Sequence, residues 1–285
     1  MRRVYCTFSG SMYDETTQRI VEDAPKFGVD EVRVYDDKWL MTTEFYNVNR
    51  WIFEHRSCNE HRGFGWYSWK PFVILTELER HPPGDVVLWT DGDTYPTGDL
   101  TPLFSECFAR DGIMLFAAEG WTQGQSTKRD CMIAMGRDFA CYPKSAVCRR
   151  AQAQFGEASF RREQHATARF ALFEAGNYRA KQLLMEWQTY CLNPLCVGLE
   201  PSVLGSEYPE YQEHRSDQSI LTNLAHRYGL KLYREADQFG DGTDRDRDLY
   251  GTVFHQIGCY DKPRNLRFRG AAAPCRLNGS KWRNV

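Results

Sequence analysis

Two carboxylates with a glycine between them, Asp91-Gly92-Asp93, close a short apolar run in the stretch GDVVLWTDGDTYPTGDL from Gly84 to Leu100. Carboxylate oxygens are hard donors, and two aimed at one point suit a divalent cation such as Mn²⁺ or Mg²⁺. The spacing permits this, because positions i and i+2 of an extended chain project to the same side. Gly92 is permissive enough to let the chain turn between them. The same residues also read as a plain turn, since Asp-Gly is a common turn dipeptide. What stands around the pair decides between the two readings. The sequence offers Lys70 among a cluster of rings, Asp217-Gln218, and a late His255 with Lys262.

The elements that must position these groups can be read from pattern. Val86 to Trp89 follow the turn signal Pro82-Pro83-Gly84 and predict a buried strand with the acids at its carboxyl end. Open α/β sheets bind their ligands at that edge. Arg3 to Phe8 predicts a first strand, Asp14 to Phe27 a helix stopped by Gly28, and Glu31 to Tyr35 a second strand. This order predicts a βαβ unit and a largely parallel sheet. The first strand runs into small polar residues, which makes Thr7 and Ser9 candidate nucleotide contacts.

Thr43 to His55 predicts a further helix, followed by Arg62-Gly63-Phe64-Gly65-Trp66-Tyr67-Ser68-Trp69-Lys70-Pro71. Pro71 suits the first turn of a helix, so Lys70 stands at a helix start, where its charge opposes the helix dipole. That conflict points to a role for Lys70 other than stability. The rings of Trp66, Tyr67 and Trp69 suit stacking on a base or sugar and equally suit a core. Later segments predict a helix from Leu100 to Phe104, strands at Ile113–Ala118 and Phe170–Phe173, and a helix start near Thr127-Lys128-Arg129-Asp130. Asn177 caps a helix through Cys191. Ser216 caps another with Asp217 and Gln218 in its first turn and Gly229 as its stop, and Leu230 to Tyr233 predicts a last strand. Asp244, Asp246 and Asp248 have calcium-loop spacing, but Leu249 and His255 stand where that loop needs Gly and Glu, so an EF-hand is excluded.

Composition sets the bounds. The 285 residues, 42% hydrophobic and 14% aromatic, suffice for one substantial core, and no linker or repeat divides them. A net charge of −2 gives no global case for nucleic-acid or membrane binding. From Lys262 to Val285, however, every charged residue is basic, which reads either as a solvated tail or as a positive lip for a phosphate-bearing substrate or a peripheral contact. The ten cysteines show no zinc-type spacing. Without a signal-peptide pattern they imply reduced thiols and a cytoplasmic protein.

Taken in order, these motifs resemble nucleotide-sugar-dependent glycosyltransferases of the GT-A fold, in particular bacterial capsular and cell-surface polysaccharide glycosyltransferases. The residues that carry the resemblance are Gly63 to Pro71, Asp91 to Asp93, Thr127-Lys128-Arg129-Asp130, Glu186-Trp187 and His214 to Leu221. A more distant likeness is to the glycogenin-like retaining transferases. Asp217-Gln218-Ser219 is similar to their Asp-Gln-Asp helix start, and His255 to Pro263 to their late His-x-x-Gly-x-x-Lys-Pro, with one residue extra.

The resemblance implies an α/β, Rossmann-like GT-A single domain over 1–285, with a mostly parallel central mixed sheet flanked by helices. Residues 1–110 would form the nucleotide-sugar half, 111–261 the acceptor and catalytic half, and 262–285 the basic tail. It implies Mn²⁺ (or Mg²⁺) held by Asp91, Asp93 and His255, and Asp217 with Gln218 at the reacting centre. Thr7, Ser9, Trp69, Lys70, Asp91, Gly92, Lys128, Arg215 and Lys262 would contact a nucleotide-diphosphate sugar, a UDP-sugar first. The acceptor would be a glycan, a lipid-linked sugar or modified nucleic acid. Retention follows from the glycogenin-like pattern, whereas an inverting reaction would use Asp217, Glu186 or Glu200 as general base. A sugar-nucleotide pyrophosphorylase and an inactive binding protein on the same sheet are the rival readings.

Overall fold

The computed structural model describes residues 1–9, 14–55, 63–138 and 159–257. Lys262, the basic tail and the turn at Gly10-Ser11 lie outside the described residues. Among the described residues eight strands run in chain order: β1 Arg3–Phe8, β2 Glu31–Tyr35, β3 Val86–Asp91, β4 Thr94–Pro96, β5 Ile113–Thr122, β6 Gln164–Glu174, β7 Leu232–Tyr233 and β8 Phe254–Gln256. Six form one sheet in the order β2-β1-β3-β6-β5-β7, and β4 with β8 forms a separate ribbon. Strand β6 is antiparallel to both its neighbours, and every other adjacent pair in the large sheet is parallel. The chain is thus a mixed α/β protein with a mostly parallel central sheet, as the βαβ pattern predicts. Its two nominal halves share that sheet, since β6 lies between β3 and β5.

The continuous apolar run in β3 is explained by burial on both faces. Val87 and Trp89 belong to one core with the helices Lys70–Leu78, Tyr178–Cys191 and Ser216–Arg227. Val86 and Leu88 belong to the other, with the helices Asp14–Asp23 and Thr101–Ala109. Five described cysteines, Cys6, Cys107, Cys131, Cys191 and Cys196, are buried and free. Among the described residues no helix is long and apolar enough to cross a membrane.

The helix expected over 43–55 is two short ones, Glu44–Val48 and Arg50–Phe53. Asn49 separates them: its backbone leaves the helical region (φ −107°, ψ 24°), and its N–H, at 3.1 Å, and its side-chain amide, at 2.8 Å, both donate to the Phe45 carbonyl. The strand expected at 170–173 is the end of an 11-residue strand whose polar first part, Gln164 to Arg169, hides it from an apolar pattern.

Candidate active site

Lys70 opens its helix and is almost fully buried. Its ammonium lies 2.8 Å from Asp91 Oδ1 and 3.3 Å from Asp217 Oδ2, and it donates to the Ala168 carbonyl at 3.0 Å. Three distant segments therefore meet at one cation: the end of β3, the start of the Ser216–Arg227 helix, and an irregular part of β6. Residues 168–170 fall within a shift of the β5–β6 register, between the pairs Phe116↔Thr167 and Leu115↔Ala171. Burial alone would lower the Lys70 pKa, but Asp217 and Asp91 together raise it, so the amine stays charged. The Asp217 carboxyl is pushed up to about 6, by burial first, with Lys70 opposing and Asp91 adding to the rise. Breaking a buried pair of this kind is costly, because the remaining charge has no water to solvate it.

Asp93 stands on a second set of contacts. Its Oδ1 accepts from the Thr94 hydroxyl at 3.0 Å and its Oδ2 from the Gln256 amide at 2.8 Å. The Gln256 side-chain Oε1 accepts in turn from Arg169, whose guanidinium pairs with Glu235 and, at 2.9 Å, with Asp237. Burial and the neighbouring Asp91 push the Asp93 carboxyl up to about 6, with Gln256 and Arg169 pulling it down.

The loop before Lys70 explains its glycines and rings. Gly65, Trp66 and Tyr67 take positive φ of 61°, 49° and 60° in succession, a conformation that costs about 1–3 kcal/mol for each non-glycine residue. A Cβ on Gly63 would lie 2.3 Å from the Tyr67 ring, and one on Gly65 would lie 2.5 Å from Phe53. This winding buries Trp66 and stacks Trp69 on Phe8 with centroids 3.9 Å apart, which fixes the residue just before Lys70. Gly65→Ala combines left-handed backbone with overpacking and is expected to cost at least ~2 kcal/mol. A urea midpoint shift corresponding to less than ~0.5 kcal/mol would contradict this account of the loop.

Asp217 is held by its backbone: Trp187 Nε1 donates to its carbonyl at 2.9 Å. Ser216 is not the cap expected of it. Arg215 takes that position, and Ser216 is the first helical residue with φ +43°. Strained backbone of this sort clusters at sites where geometry is over-determined.

The remaining expected contacts divide. Thr7 donates its hydroxyl to the Thr90 carbonyl at 2.9 Å and is fully buried within the sheet. Trp69 is likewise a core ring, with Nε1 donating to Phe64 O at 2.9 Å. Ser9 is buried against Thr17. Gly92 forms the turn between β3 and β4 without a positive φ. Lys128 is buried with its ammonium 3.5 Å from the Glu200 carbonyl, and Arg215 lies over the Trp121 ring and pairs with Glu213. Gln218 is half-buried beside Asp217. Glu186 accepts from the Tyr228 hydroxyl at 2.8 Å, and Glu200 lies 3.6 Å from His55. The structure brings neither acid to Lys70.

His255 lies opposite Tyr95 in the β4–β8 ribbon, ring centroids 5.5 Å apart. Side chains alternate along a strand, so the neighbour Gln256 faces the other way and is the side chain that meets Asp93. Among the described residues, the one His/Cys/Asp/Glu trio with all ligand atoms within 4.8 Å is Glu31, Glu77 and His81. That trio is already tied up: Arg2 reaches Glu31 at 3.1 Å, and His81 and Arg33 reach Glu77 at 2.8 and 3.6 Å.

Asp91 and Asp93 nevertheless fit a divalent cation. Among the described residues, this connected set places Asp91, Asp93, Asp217, Glu235 and Asp237 around Lys70 and Arg169. Two of the five acids are pushed up to about 6 by the resulting burial and repulsion. Further positive charge would relieve this, and all-oxygen donors suit Mn²⁺ or Mg²⁺. Gln256 and Arg169 went unread in the sequence because their roles depend on β4–β8 pairing and on the β6 irregularity.

No family profile matches the chain, and no curated protein matches it. Among solved structures it is similar to mouse xyloside xylosyltransferase 1 in its apo form, with a TM-score of 0.42 and 12% identity over 92% of this chain and 99% of that one. It is also similar to the apo WbbM bifunctional glycosyltransferase, with a TM-score of 0.42 and 10% identity over 78% of this chain and 37% of that one. Similarity at this level leaves the function to be argued from the site.

Proposed function

We propose that the chain is a metal-dependent glycosyltransferase that moves a sugar from a nucleotide-diphosphate sugar, a UDP-sugar first, to an acceptor hydroxyl with retention. The observation that carries this reading is the buried Lys70 bridging Asp91 at a strand end and Asp217 at a helix start. Breaking a sugar–diphosphate bond leaves new negative charge on the departing phosphates. The buried ammonium of Lys70, kept charged by its two carboxylates, is a preorganised partner for that charge. Asp217, fixed by Trp187, offers a carboxylate toward the transferred sugar, with Gln218 beside it. Asp91 and Asp93 would hold Mn²⁺ or Mg²⁺, which when bound supplies Lewis-acid stabilisation to the diphosphate. The acceptor is a glycan, a lipid-linked sugar or nucleic acid.

A thermal-shift screen tests the reading. UDP or a UDP-sugar with Mn²⁺ is expected to stabilise the protein by about 2.7 kcal/mol at a hundredfold excess over Kd, and a chelator is expected to remove the shift. An equal shift in chelator would eliminate the metal. No shift with any nucleoside diphosphate or nucleotide sugar would eliminate the reading.

A further inference from the structure

Gln256 is nearly fully buried and spans two charged groups. Its amide nitrogen donates to Asp93 Oδ2 at 2.8 Å and its amide oxygen accepts from Arg169. A guanidinium only donates, so the oxygen end must face Arg169 and the nitrogen end must face Asp93. The amide has no freedom to flip. Arg169 is itself anchored, by Glu235, by Asp237 at 2.9 Å and by the Thr167 hydroxyl 3.1 Å from its Nε. The backbone of Gln256 is clamped as well: its N–H donates to Gln238 Oε1 at 3.1 Å, and Gln238 Nε2 donates to its carbonyl at 2.8 Å. The Ile257 N–H donates to the Asp93 carbonyl at 3.0 Å. The β4–β8 ribbon is paired by backbone and does not need the side-chain amide, yet that amide is held at both ends.

We propose that Gln256, oriented by Arg169, is the positioning residue for Asp93: it fixes the direction in which that carboxylate presents its oxygens to the donor's cation. This rests on the cation-binding reading above. Among the described residues, Asp93 Oδ1 accepts a hydrogen bond from Thr94 and Oδ2 one from Gln256, and a carboxylate has about four lone-pair sites, so both oxygens retain capacity for a cation. Hydrogen-bond partners of this kind typically contribute ~10–100-fold to metal affinity.

The test uses Mn²⁺ alone, with free Mn²⁺ read by electron paramagnetic resonance, in a double-mutant cycle on the full chain. Gln256→Leu is expected to weaken Mn²⁺ binding ~10-fold or more, with Asp93→Asn weakening it further. Once Asp93 is Asn, adding Gln256→Leu is expected to change nothing, because the amide acts only through that carboxylate. Arg169→Lys, which keeps the charge but loses the planar fork, is expected to fall between the unsubstituted chain and Gln256→Leu. If Gln256→Leu does not fold, Gln256→Asn takes its place, since it is too short to span both partners. Additive losses in the cycle, or unchanged Mn²⁺ affinity in the single variant, would overturn the inference while leaving the cation site standing. No Mn²⁺ binding by the unsubstituted chain would overturn both.

Discussion

Lys70→Met is expected to remove about 3–5 kcal/mol of stability at pH 8, the usual cost of stripping one partner from a buried ion pair, and to reduce transfer to background. Lys70 neutralises two carboxylates at once, and in the variant Asp217 and Asp91 are left facing each other without it. The pH dependence follows from the direction of the Asp217 shift. Its folded-state carboxyl is raised to about 6, so its contribution to stability is fully present below its ordinary range and is lost as pH rises through 6. Removing Lys70 takes away a group that holds this carboxyl down, so the rise continues. The stability deficit of the variant should therefore be largest above pH 7 and shrink toward pH 5. Urea unfolding at both values checks this. A deficit below ~1 kcal/mol at pH 8, or one that grows on acidification, would mean that the bridge is not what holds the three segments together.

Asp217→Asn should separate activity from stability. The substitution keeps the size of the side chain and leaves Lys70 with Asp91 and the Ala168 carbonyl. Melting is therefore expected to move by only a few degrees. Turnover is expected to fall about 10²–10⁴-fold, the scale of a positioned carboxylate acting at a reacting centre, with Mn²⁺ affinity within a factor of about three of the unsubstituted chain's. The pH profile gives a second readout. Asp217 is pushed up to about 6 and must be ionised, so turnover should fall as pH drops through that value. Its ionisation gives the acid limb of the log rate a slope of about one, and the Asn variant should lose that limb. An unchanged rate would remove Asp217 from the reacting centre. An unchanged slope would show that its ionisation does not matter.

Particular residues show where sequence reasoning stops. Lys70 was legible because it breaks a rule: a cation at a helix start makes sense only with carboxylates to receive it, and it has two. Asp217 was legible as an acid in a helix's first turn, though the strained Ser216 ahead of it was not. Trp69 was ambiguous by type, and its burial places it in the core, while Thr7, read from its place at the end of the first strand, is buried within the sheet. His255 and Gln256 differ by one position, and register alone decides which of them meets Asp93. In a strand a one-residue slip exchanges the two faces, and pairing across the gap from Thr94 to Gln256 leaves no local trace. Arg169 was hidden for a related reason, since an irregular strand has no clean period to read.

The sequence by itself determined the local elements that carry strong periodicity or caps: the βαβ start, the two-sided apolar strand ending in Asp91, and the helix from Asn177 to Cys191. It also determined which residue types were available for charge chemistry. These features depend on neighbours a few positions away, where steric and hydrogen-bonding preferences act directly. The tertiary structure alone decided that Asp91 and Asp217 share one buried lysine and that a glutamine backed by Arg169 stands at Asp93. It also decided that the aromatic loop serves as a wall holding Lys70. Those outcomes depend on strand register and on exclusion of water, and neither exists until the sheet has closed.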